Sequence, residues 1–155
     1  MSLDLNLKRT DSSNPDFTRL VRELDLDLAV KDGDEHSFYD QFNHIDTIKY
    51  VIVAFENNIA VSCGAIKEFS PEAMEVKRMY TIPERRGYGI AAAVLKELEK
   101  WAAEMGYHKC VLETGKRQPD AIRLYEKNGY SVISNYGQYA GRENSVCFEK
   151  VIRIL

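Results

Sequence analysis

The sequence predicts a single α/β domain of the α+β kind, with six to seven strands and about four helices, and three observations carry that expectation. Two strand-like runs, Tyr50 to Phe55 and Ile59 to Phe69, meet at a bend holding Asn57 and Asn58. Asparagine tolerates the positive φ of a tight hairpin, so this pair is antiparallel. From Met74 onward, strand and helix patterns alternate. Finally, 155 residues at 45% hydrophobic and 29% charged content suffice for one ordinary core and are short for two.

The elements follow in order. Leu3, Leu5 and Leu7 alternate with polar residues, as in a short strand with one buried face. Pro15 suits a first helical turn, and Phe17, Leu20, Val21, Leu24 and Leu28 then recur at helical spacing. A shorter helix is expected around Glu35 to Phe42, ahead of the hairpin. Ser70 and Pro71 mark a turn before a strand from Met74 to Thr81, and a loop from Ile82 to Arg86 leads on. The next helix carries Ile90, Ala91, Val94, Leu95, Leu98, Trp101, Ala102 and Met105 on one face, and Gly106 ends it. A strand from Lys109 to Thr114, a helix from Pro119 to Asn128, and strands around Tyr130 to Ile133 and Ser145 to Ile152 complete the chain.

Composition excludes several classes. A net charge of −3 and a pI near 5.7 give no general attraction to nucleic acid, so no nucleic-acid partner is expected. No apolar run reaches the roughly 18 residues of a membrane span, and MSLDLNLKRT lacks a signal-peptide core, so no membrane partner is expected and the expected compartment is cytoplasmic. Cys63, Cys110 and Cys147 are widely spaced within strand-like segments, with no CxxC or Cys/His ligand pattern, so no metal is expected. His36, His44 and His108 are scattered. Only His44, near Phe38, Tyr39 and Phe42, has neighbours that could line a pocket.

The chemistry centres on RGYGIA, Arg86 to Ala91, at the start of the long helix. Without side chains at Gly87 and Gly89 the backbone can approach a pyrophosphate, and the unpaired amides and dipole of the first helical turn favour an anion there. Gly87 to Ala92 satisfies a GxGxxA dinucleotide pattern, with Glu113 as a ribose-binding acid. A dinucleotide fold, however, runs its strand directly into the first glycine, whereas Ile82 to Arg86 intervene here. A nucleotide-binding oxidoreductase is left as a minor alternative, and a P-loop fails for want of GK[ST].

Arg86, Gly89 and Ala91 fit the pattern [QR]xxGx[GA], and AIRLYEKNGY, Ala121 to Tyr130, resembles the A-x-x-LYEKxGF block of the GNAT superfamily of acyl-CoA N-acyltransferases, in its small single-domain form. The resemblance covers about Ile59 to Phe148. It implies a central mixed, mostly antiparallel sheet flanked by helices, and an acetyl-CoA-dependent transfer of an acetyl group to a primary amine by direct attack on the thioester. The loop would bind the pyrophosphate of coenzyme A through Arg85, Arg86, Gly87, Tyr88, Gly89, Ile90 and Ala91, with Lys116 a further phosphate partner. The backbones of Met79 and Thr81 would bond the pantetheine arm and thioester carbonyl.

Tyr125, within LYEK, matches the family's general acid for the coenzyme A sulfur. A phenol of reference pKa near 10 holds its proton at pH 7. By periodicity alone Tyr125 is more often an amphipathic core tyrosine, and it is the match to the family block that raises the catalytic reading. Glu75 matches the base of histone-acetyltransferase-type members, and strict alternation sets it on one face with Lys77, Met79 and Thr81. Glu113 would bind the substrate ammonium or relay its proton, or simply cap a turn. Gln118 stands where the family commonly has asparagine, keeping an amide of longer reach for coenzyme A. The loop Asn135 to Asn144, with Tyr136, would wall the acceptor site together with Phe38, Tyr39 and Phe42. The expected acceptor is a small-molecule or peptide amine, and the resemblance is compatible with a homodimer. A non-catalytic coenzyme A-binding sensor or scaffold is the alternative of a different class.

Overall fold

A computed structural model describes residues 4–33 and 47–153. Leu3, the helix expected around Glu35 to Phe42, and with them His36, Phe38, Tyr39, Phe42 and His44, lie outside the described residues.

The chain runs β1 (Leu5–Thr10), α1 (Pro15–Asp32), β2 (Tyr50–Glu56), β3 (Ile59–Ser70), β4 (Ala73–Thr81), a 3₁₀ turn (Pro83–Arg85), α2 (Ile90–Glu104), β5 (Lys109–Gly115), α3 (Pro119–Lys127), β6 (Ser131–Ile133), a second 3₁₀ turn (Gly137–Tyr139) and β7 (Ser145–Val151). The strands form one seven-stranded sheet in the order β1-β2-β3-β4-β5-β7-β6. Only β4 and β5 are parallel; the other neighbours are antiparallel. Local chemistry sets the boundaries. Asn14 caps α1 by accepting from the amides of Asp16 and Phe17, with Pro15 at the first turn. Asn57 and Asn58 both take positive φ, at 51° and 68°, in the hairpin between β2 and β3.

Each sheet face buries an apolar stripe. Ile90, Val94, Leu95, Leu98 and Ala102 of α2 pack on Ile52, Ile66, Met74, Val76, Leu112 and Phe148. On the opposite face Phe17, Leu20, Val21 and Leu24 of α1 cover Val51, Val53, Ala60, Cys63, Ala65 and Tyr80. Each Val, Leu, Ile, Phe or Met among them contributes about 1.5–3 kcal/mol when fully removed from water. Glu99 of α2 is buried but compensated: it accepts from the Tyr130 hydroxyl at 2.9 Å and from Lys150 Nζ at 2.8 Å, which fastens α2 to β7.

Two irregularities position the site. The first is a bulge in β4. Ala65 lies opposite Lys77, yet Cys63, two residues away on β3, lies opposite Tyr80, three residues on. The extra residue sits at Arg78, whose φ is 60°. Gly64 makes room for the result, since a Cβ there would collide with Met79 Sδ and come within 2.9 Å of Leu98 Cδ1. The bulge also corrects an expectation. Glu75 and Lys77 share the α1 face, but Met79 packs into the core under α2, and Thr81 stands with Ser62 on that same side; strict alternation along β4 does not hold.

The second irregularity is a divergence. β4 and β5 pair only through Ala73–Lys109, Met74–Cys110 and Glu75–Val111. Beyond Glu75, β4 stays with β3 as far as Thr81, while β5 stays with β7 as far as Gly115, so the sheet opens into a V. This topology also removes the dinucleotide-binding reading: a 3₁₀ turn separates Thr81 from Gly87, and parallel pairing is confined to one short ladder.

Candidate active site

The glycine loop lies at the open end of β4. Gly87 and Gly89 take φ of 85° and 81°, and a Cβ on either would meet nothing within 4 Å, so the glycines serve the backbone path and leave its outer side open. Gly89 is the N-cap of α2; no side chain caps this helix and no acidic residue lies in its first turn. An open cradle of amides at an uncapped helix start fits the pyrophosphate of coenzyme A. The adjoining arginines are tethered. Arg85 pairs with Glu56 at 2.6 Å and stacks over the Tyr88 ring at 4.2 Å, while Arg86 Nε donates to the Thr81 carbonyl at 2.9 Å. Ile90 is buried beneath the loop, Ala91 is partly exposed, and Lys116 is exposed.

The V between β4 and β5 holds a cleft. Its walls come from Leu24 and Leu28 of α1, Glu75 to Met79 of β4, Glu113 to Gly115 of β5, Gln118, Ala121 and Tyr125, and Tyr139. Tyr125 is buried against Tyr130 and Phe148, with ring centroids 5.8 Å and 6.0 Å away. Burial, and then the charge of Glu113, raise its phenol above the ordinary tyrosine value, so it carries its proton at neutral pH. Gln118 precedes α3, its side chain caps no helical amide, and it lines the same cleft.

Glu75 accepts a hydrogen bond from the Tyr136 hydroxyl at 2.7 Å and has Lys77 Nζ at 3.7 Å. The Tyr136 ring rests edge-on against Phe69 and Tyr139, at 4.8 Å and 5.9 Å, and its phenol is raised by burial and then by Glu75. Tyr139 is raised by burial, then by Glu113 and Glu75, and lines the same cleft as both carboxylates. The pairing of Glu75 with Val111 puts Glu113, two residues on, on the Glu75 face of the sheet. The structure thus brings together Glu75, Glu113, Tyr125, Gln118, Met79 and Tyr136; Phe38 and Tyr39 lie outside the described residues. Thr81, Arg85, Arg86 and the glycines form a separate patch at the end of β4.

Tyr139 and Arg78 are cleft residues that sequence reasoning missed. The polar, aromatic loop Asn135 to Asn144 is the signal that contained Tyr139. Arg78 had none, because only the bulge directs it to the α1 side, where it meets Asp25. Among the described residues no group of three or more His, Cys, Asp and Glu is placed to hold a metal ion, and no helix is long and apolar enough to cross a membrane.

A seven-stranded mixed sheet that opens beside an uncapped glycine loop defines a class, and the sequence comparison agrees with it: residues 15–130 match the Acetyltransferase (GNAT) family, to which this chain therefore belongs. It is an N-acetyltransferase of that family. An uncharacterized N-acetyltransferase of Schizosaccharomyces pombe is 29% identical over 127 residues, 78% of either chain. A solved structure from Klebsiella pneumoniae that bears the name acyl-CoA N-acyltransferase superposes with a TM-score of 0.76 at 28% identity, covering 97% of this chain and 99% of that one. A GNAT acetyltransferase from Elizabethkingia anophelis, solved with acetyl-CoA bound, shares the fold at a TM-score of 0.68 and 17% identity, covering 96% of this chain and 98% of its own.

Proposed function

We propose that this chain transfers an acetyl group from acetyl-CoA to a primary amine by direct attack, within the cleft between β4 and β5. The observation that carries this reading is the divergence after Glu75–Val111, which sets two carboxylates, a protonated phenol and the bulged backbone of β4 around one opening. Acetyl-CoA, when bound, supplies an activated thioester. The glycine loop and the start of α2 hold its pyrophosphate, with Arg85, Arg86, Tyr88 and Lys116 beside them. Around the bulge the backbone of Met79 and Thr81 directs polar groups to the pantetheine arm and the acyl carbonyl, where negative charge grows during attack.

Glu75 takes the proton of the incoming ammonium, and the hydroxyl of Tyr136 fixes its orientation. Glu113 adds a second negative charge that draws a cationic amine into the cleft. Tyr125 donates its proton to the departing sulfur, and the proton shed by the acylated nitrogen restores the phenol. Overall one N–C bond replaces one C–S bond, and a free thiol and one proton are released for each ammonium consumed.

A thiol-release assay with acetyl-CoA across a panel of amines tests the proposal. At least one amine should raise thiol release well above the rate with acetyl-CoA alone. Protection of the protein against heat by coenzyme A, with no stimulation by any amine, would instead favour a sensor or scaffold module.

A further inference from the structure

Arg78 has no part in the scheme above, yet it lies on the wall of the same cleft. Apart from the two hairpin asparagines, it is the non-glycine residue with positive φ among the described residues. For a residue with a Cβ that conformation is strained. Its side chain is only 2% exposed, and Nη2 bonds Asp25 at 2.7 Å. Asp25 is 44% exposed, so its compensating charge is screened by water. Nε and Nη1 are buried with no hydrogen-bond partner among the described residues. A desolvated cation satisfied at one nitrogen out of three is an incomplete anion site, because each unmet donor has lost its water without a replacement.

The opposite sign is supplied on both walls of the cleft, by Glu75 three residues earlier on β4 and by Glu113 on β5. Glu75 and Glu113 sit on the same α1-facing side of the V, while Arg78 is carried to that side by the bulge. A ligand with a cationic amine at one end and an anion at the other would satisfy both. We propose that Arg78 binds the carboxylate of the acceptor, so that the acceptor is a free amino acid rather than a simple amine or a peptide lysine. The inference rests on the transferase reading above. Acetylation removes the ammonium charge, so the product keeps its hold on Arg78 and loses its hold on the carboxylates, which favours release.

The test is a thiol-release panel in matched triplets: each amino acid, its carboxamide, and the amine formally obtained by removing the carboxylate. Among acceptors that turn over, the free acid should exceed both analogues in kcat/KM by about tenfold or more, as expected for a charge-assisted hydrogen bond. In Arg78→Gly, whose backbone accepts φ of 60° without strain, that acid-to-amide ratio should collapse toward one, and Arg78→Lys should restore part of it. Equal rates for acid and amide in the native protein, or an unchanged ratio in Arg78→Gly, would overturn the proposal. Should the glycine variant not fold, the triplets on the native protein decide alone. Silence of every amine would sink the transferase reading itself, whereas turnover of amides and amines without preference would sink only the role of Arg78.

Discussion

Tyr125 shows how burial selects a chemical role. Its ring is wedged between Tyr130 and Phe148, and its phenol, held above the ordinary value, is a proton donor at neutral pH and not a nucleophile. The same physics silences the cysteines. Burial pushes the thiols of Cys63 and Cys110 up to about 12, and Cys147 moves in the same direction. In a disulfide-exchange reagent at pH 8, Cys63 and Cys110 of the native protein should therefore react about 10³-fold more slowly than a free thiol and Cys147 also more slowly, and all three should titrate on unfolding; a fast-reacting native thiol would contradict this. Residue roles were unequally legible. The LYEK block singled out Tyr125, which the structure sets on the cleft wall, although its spacing alone favours a core residue. Arg78 was not, because alternation along β4 assigns it to the wrong face and a bulge leaves no local mark in the sequence.

At the level of elements, most boundaries are written in local chemistry. Asn57 and Asn58 announce the hairpin, Pro15 and Asn14 the start of α1, and the periodic apolar face of α2 its length. The register of β4 against β5 is another matter. Parallel pairing depends on what packs around both strands, so the point of divergence after Glu75 is invisible to a one-dimensional pattern. The glycine loop lies between these cases: the sequence located it, and the structure supplies the positive φ that explains it. Gly89→Ala should cost about 1–2 kcal/mol of stability through backbone strain alone, because no neighbour lies within 4 Å of the added methyl. Its affinity for coenzyme A, measured by calorimetry, should fall by about tenfold or more, since the amides can no longer hold the same path. A variant with native affinity would show that the loop does not carry the pyrophosphate.

For the whole molecule, function follows from one sheet that is whole at one end and divided at the other. The α2 core and the Glu99–Tyr130–Lys150 contacts bind the β5 half to the β4 half, so the V is built into the packing of the sheet. α1 closes the opposite side through Leu24, Leu28 and the Asp25–Arg78 pair. The glycine loop follows the open end of β4 and the carboxylates line the cleft, so in the proposed reaction acyl donor and amine approach from different directions and meet near Tyr125. Steady-state thiol release by Tyr125→Phe beside the native protein asks whether the phenol in this cleft protonates the departing sulfur. The variant should lose about 10²-fold in kcat while binding acetyl-CoA with nearly native affinity; full turnover on an accepted amine would contradict the account.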